Sequence, residues 1–296
     1  MLKRYFLGAA VPILALFFML TLTAAAPSSS SQVVKRVIQA PLVTTAVTAT
    51  LATRFTNAKD GSIMLRIPAG SFLAGDGKFA VTLRAYAIAQ YEVTNAQYAR
   101  FLTERRPSLA ELDMWILLDS NCFVRRRRAA TDYEAYGGKA NHPVVQVSWF
   151  GATAYCVWAG LRLPTELEWE KAARGTDGRI YPWGDTWDAS LCRNSTNCGT
   201  ETTAPVGSYA AGNSPYGIYD MAGNVNEWCA NWFDVRSYIR YQAGILTLPA
   251  SGAERVLRGG AWLYVQDYYF LVDCRLINYA PTYRLNFIGF RCAGTL

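Results

Sequence analysis

The stretch from Arg255 to Cys292, RVLRGGAWLYVQDYYFLVDCRLINYAPTYRLNFIGFRC, opens on Arg258-Gly259-Gly260-Ala261-Trp262 and closes on Gly289-Phe290-Arg291-Cys292. Between the two blocks runs a segment rich in Tyr, Leu, Asn and Asp that contains no Lys, Glu or Met. The blocks read as a rigid frame and the segment between them as an unusual insert. Whether that insert is a catalytic loop or a binding surface decides the function.

Outward from this stretch, Gly, Pro and Asn recur every few residues from Tyr181 onward, through YPWGDTWD and GNSPYGIYDMAGNVNEW, a spacing that favours loops and short strands. Further upstream, Thr165 and Glu168 form a capping box at the head of a helix that Gly175 ends. A second helix is expected after Ser148, stopped by Gly160, and a third after Thr94 over VTNAQYARFL. Residues 63–90 read as short strands with turns, and Phe79 to Ala89 alternates like one half-buried strand.

The chain has 296 residues, 51% of them hydrophobic, enough for one large core or two small ones. Residues 1–26 carry Lys3 and Arg4, an apolar run from Tyr5 to Leu22, and Ala24-Ala25-Ala26, the pattern of a cleaved secretory signal. An uncleaved membrane anchor through residues 5–22 is the competing reading. Residues 27–60 are rich in Ser, Thr, Val and Ala and read as a linker. Trp and Tyr become dense after Gly61, which places the domain at 61–296.

Seven cysteines behind a signal sequence point to an oxidising compartment, hence to a secreted, periplasmic or cell-surface protein with at least one unpaired thiol. The one histidine, His142, excludes His-rich zinc and non-haem iron sites. The net charge of +7 owes much to Arg125 to Arg128. That run reads as a solvated loop, because acidic residues return at once in TDYEAYGG, and secretion argues against nucleic acid as a partner.

Five blocks in order, HPVVQVSWFGATAYCVWAGLRLPTELEWEKAARG, YPWGD, SPYGIYDMAGNVNEW, RVLRGGAW and GFRCA, resemble the formylglycine-generating enzyme (sulfatase-modifying factor) domain family. The resemblance implies an α+β architecture, a variant of the C-type lectin fold with short strands, few helices and much irregular structure. It also implies a disulfide between Cys156 and Cys292, and a structural calcium site with carboxylates from Asp220 and Glu227 and carbonyls from Gly223 and Val225. The oxidases of the family use two cysteines shortly after the Arg-Gly-Gly block, which bind copper as thiolates. Here Leu263 to Asp273 contains no cysteine, and Tyr264 and Tyr269 stand about where the pair belongs. A phenol cannot replace a thiolate toward Cu(I), so no copper and no catalysis are expected.

The insert is instead a binding surface by composition. Tyr gives rigid contact area at low entropy cost and Asn gives adaptable hydrogen bonds. The expected ligand-binding residues are Tyr264, Val265, Asp267, Tyr268, Tyr269, Leu276, Asn278, Tyr279, Tyr283, Leu285, Asn286 and Phe287. The arrangement also resembles the variable proteins of diversity-generating retroelements, whose variable region lies between an RGGSW-like and a GFR-like block. Adenine randomisation of Asn codons there yields residues other than Lys, Glu, Gln, Met and Trp, and from Leu263 to Phe287 only Gln266 lies outside the permitted set. Gln266, Arg275, Pro281 and Arg284 are then frame positions within a variable region at 263–287. The expectation is a non-catalytic extracytoplasmic protein that binds a protein or cell-surface ligand. The alternative is a formylglycine-generating oxidase or an accessory of sulfatase maturation.

Overall fold

The computed structural model of the protein describes residues 54–127 and 131–296, so the expected signal, anchor and most of the linker lie outside the described residues. Its strands are β1 (Arg54–Thr56), β2 (Ile63–Ile67), β3 (Gly70–Ala74), β4 (Phe79–Leu83), β5 (Tyr86–Ala89), β6 (Val124–Arg126), β7 (Tyr133–Ala135), β8 (Asn226–Trp232), β9 (Arg255–Arg258), β10 (Asn278–Tyr279), β11 (Ile288–Gly289) and β12 (Ala293–Thr295). Five short helices complete it: α1 (Asn95–Arg105), α2 (Leu109–Trp115), α3 (Trp149–Trp158), α4 (Glu166–Arg174) and α5 (Ser237–Gln242). This is the expected α+β mixture of short elements joined by long irregular segments.

Four of the five described helices begin where a side chain satisfies a free N–H group. Thr94, Ser148 and Thr165 cap α1, α3 and α4, and the Thr165 hydroxyl and Glu168 carboxylate form the reciprocal box read from the sequence. The alternation from Phe79 to Ala89 is not one strand. It breaks at Arg84-Ala85, and β5 beyond the break is buried on both faces, Tyr86 and Ile88 packing into one hydrophobic cluster and Ala87 and Ala89 into another. That sheet runs β1-β2-β5-β12, so it starts at Arg54, inside the segment expected to be linker, and ends on the last strand.

A second sheet runs β10-β9-β8-β11, with β11 parallel to β8. The GFRC block therefore does not form one strand. Its first residue ends β11 in the second sheet, while Cys292 and Phe290 offer their carbonyls to Ala89 and Val93, and β12 follows in the first sheet. The chain crosses from one sheet to the other within three residues, Phe290, Arg291 and Cys292, all fully buried. The core under α1 and α3 is aromatic: Tyr98, Phe101, Trp115, Tyr155, Trp228 and Phe290 pack together.

Candidate recognition surface

The frame around the insert is built from close contacts. Gly259 and Gly260 turn with φ of +95° and +74°, and a Cβ on Gly260 would stand 2.8 Å from the Tyr269 carbonyl oxygen. Trp262 receives its position from both sides: its backbone N–H donates to Asn224 and its indole N–H donates to the Asn286 carbonyl at 3.1 Å. One residue after the block begins the insert, whose Tyr264 hydroxyl accepts from the Asn226 amide at 3.2 Å.

Tyr264 and Tyr269 occupy the positions where the resemblance places two cysteines, and their rings stack with centroids 4.2 Å apart. Burial pushes the Tyr264 hydroxyl up to about 12. Two stacked phenols do not fit a soft copper ion, which takes thiolate ligands. Structure brings Cys274 to the foot of this stack, where it shares a cleft with Asn226, Gly260, Tyr269 and Ile277 too narrow to admit a water molecule. Burial raises its thiol above the ordinary range, away from the thiolate form.

From this stack the aromatic side chains continue across the insert. Tyr268 leans on Tyr269 at 4.5 Å, Tyr264 meets Phe287 at 6.4 Å, Phe287 meets Tyr279 at 6.3 Å, and Tyr279 stacks on Tyr283 at 5.1 Å. Val265, Asp267, Tyr268, Leu276 and Tyr283 are exposed, and Tyr264, Tyr269, Asn278, Tyr279, Leu285, Asn286 and Phe287 are half-buried. Every expected ligand-binding residue thus reaches the surface. Phe270 and Val272, chemically alike to their neighbours, are instead fully buried.

The frame arginines are anchored too. Arg275 donates to both Glu166 oxygens and to the Asp234 carbonyl, and Arg284 donates to the Asp113 carbonyl. Asp273 pairs with Arg174 at 3.2 Å, a link that joins the insert to α4.

The calcium ligands expected from the resemblance are arranged differently. Both Glu227 oxygens are taken: Arg291 bonds them at 2.5 and 2.7 Å, and the Trp169 indole N–H donates at 2.9 Å. Asp220 accepts from the Gly207 N–H, and burial lifts its carboxyl to about 6. Glu92, which sequence reasoning missed, lies fully buried beside them; its carboxylate accepts from the Asn224 amide and the Val225 N–H. Burial, then Asp220 and Glu227, raise it well above the carboxylate range. The guanidinium of Arg291 supplies the positive charge beside Glu227, so these groups form a buried ion-pair cluster. Among the described residues no three His, Cys, Asp or Glu side chains are placed to hold a metal ion.

Cys156 and Cys292 face one another with sulfurs 3.2 Å apart, both fully buried. Among the described residues no helix is long and apolar enough to cross a membrane.

The family model of the sulfatase-modifying factor enzyme 1-like domain matches residues 49–296. The formylglycine-generating enzyme of Streptomyces coelicolor is 35% identical over 282 residues, covering 77% of this chain and 88% of that protein. The inactive C-alpha-formylglycine-generating enzyme 2 of Mus musculus is 31% identical over 279 residues, covering 78% of this chain and 85% of that protein. Among solved structures, Treponema denticola variable protein 1 has a TM-score of 0.60 at 24% identity, covering 83% of this chain and 99% of that one, which is a likeness of fold.

Proposed function

Since the chain belongs to the sulfatase-modifying factor enzyme 1-like domain family, we propose that it keeps the family scaffold without the oxidase chemistry and acts as an extracytoplasmic ligand-binding protein diversified by a retroelement. The observation that carries this reading is the aromatic run from Tyr268 through Tyr269, Tyr264, Phe287 and Tyr279 to Tyr283, laid across the surface of the insert. A catalytic loop needs space for a reacting group, whereas a recognition face needs rigid, amphipathic side chains at the surface. The family includes a relative named as an inactive enzyme, and the fold is shared with a protein named as variable, so neither the scaffold nor the fold demands catalysis. The ligand in this reading is a protein or another cell-surface structure.

The coding sequence around the gene tests the diversification. A reverse transcriptase gene and a near-copy of the 263–287 coding segment that differs at adenines are expected nearby; their absence removes the retroelement and leaves a fixed binding protein. An oxygen electrode tests the alternative. A formylglycine-generating oxidase consumes oxygen with a Cys-containing peptide and Cu(I), and no consumption is expected here.

A further inference from the structure

The insert does not rest on one support. Its first part, with Tyr264, Tyr269 and Leu271 around buried Phe270, packs on the cluster of Tyr181, Trp183 and Trp187. Its second part, with Ile277, Tyr279, Leu285 and Phe287, packs on the separate core under α1 and α3. Between them Val272 is buried in a third cluster with Trp169, and Asp273 and Arg275 enter an ion lattice.

That lattice holds three cations and three anions. Arg258 reaches Glu166 and Glu170 at 3.1 and 3.3 Å, Arg174 reaches Glu170 and Asp273 at 3.6 and 3.2 Å, and Arg275 reaches Glu166 at 2.8 Å. Arg258, Glu166, Glu170 and Arg174 are almost wholly buried, so their charges must be matched where they stand. Asp273 and Arg275 sit at the rim, with 15% and 12% of their side chains exposed, and complete the balance from the insert's side.

We propose that the insert is two recognition lobes, residues 263–271 and 276–287, hung on a fixed clip at 272–275, so that specificity is set by two patches that vary independently. This rests on the recognition reading of the insert. Among the ring contacts of the described residues, one edge-on pair, Tyr264 and Phe287, joins the lobes, while each is fastened separately to its own core cluster. Asp273 is therefore a positioning residue, unlike Asp267, which is exposed and free to contact ligand.

Hydrogen exchange on the full chain, with no ligand, tests the clip. Asp273→Asn and Arg275→Met should speed exchange of amides in both lobes about tenfold, because the rim charges hold them locally, and leave β8 and β9 protected. Arg275→Lys, which keeps the charge, should restore most of the protection. Unchanged exchange in the lobes, or an equal rise through β8 and β9, overturns the clip. Tyr268→Ala and Tyr283→Ala, one in each lobe, should act additively on protection; departure from additivity beyond about twofold overturns the independence of the lobes. The recognition reading fails separately: it falls if Val265, Tyr268, Leu276 and Tyr283 prove as intolerant of substitution as Asp273 and Arg275.

Discussion

The ring of Tyr264 lies over that of Tyr269 with 4.2 Å between centroids and 20° between planes, so the two side chains that stand about where the resemblance places a cysteine pair form one packed unit. Each ring is half-buried against the cluster around Trp183 and Trp187. A pair of this kind contributes about 0.5–1.5 kcal/mol beyond the area it buries. Tyr264→Ala and Tyr269→Ala should each lower the unfolding free energy by about 1–3 kcal/mol. A double-mutant cycle in urea should return a coupling of about 1 kcal/mol; zero coupling would mean that the stack is a mere juxtaposition.

Glu227 and Arg291 are both fully buried and bonded at two points. Glu227→Gln leaves a buried guanidinium without its counter-charge and should cost about 3–5 kcal/mol in chemical denaturation. Because Arg291 already supplies the positive charge at this carboxylate, neither calcium nor a chelator should move the Tm. A rise in Tm with calcium would show that Arg291 gives way to the ion.

His142 is the single histidine of the chain, and burial, reinforced by Lys139, holds its imidazole down at about 4 from an ordinary 6.5. The folded state thus binds this proton more weakly than the unfolded state. The resulting stability is complete above pH 6.5 and is lost as pH falls from there through about 4. The decline should amount to as much as about 3 kcal/mol, and His142→Asn should flatten it. One imidazole resonance reports the titration directly; a midpoint near 6.5 would contradict the burial argument.

Cys156 and Cys292 lie opposed across the join between α3 and the chain's last turn into β12. In protein recovered from an oxidising compartment, peptide mapping should find these two linked. The closed loop is long, so the chain-entropy argument gives a stabilisation of about 4–5 kcal/mol. Reduction should lower the Tm, and Cys292→Ser should remove that dependence on reductant.

Much of the scaffold was legible because its signals are local. Thr165 with Glu168 sits three residues apart and announces α4 without help from the rest of the chain. The same box, Ser108 with Glu111, opens α2, but that helix is too short for an apolar period to confirm it. The insert's division was not legible, because burial there is decided by distant partners. Phe270 is covered by Trp187 and Val265 by nothing comparable, although both are apolar residues of one short segment. In the sequence Asp273 is one more polar residue of the insert, and only the fold sets Arg174 beside it; likewise only the fold sets Arg291 against Glu227. Charges that meet across 64 residues of chain or more leave no spacing to read.

The crossing of the chain from β11 to β12 has a genetic consequence. Everything that closes the second sheet through β11 and the first through β12 is encoded downstream of residue 287. A shift of reading frame or a stop codon inside the insert therefore deletes Arg291, Cys292 and both closing strands at once, and no folded product can carry it. Substitutions in the insert leave these strands in place and frame errors do not, so the last strands make folding depend on an intact reading frame through the segment before them.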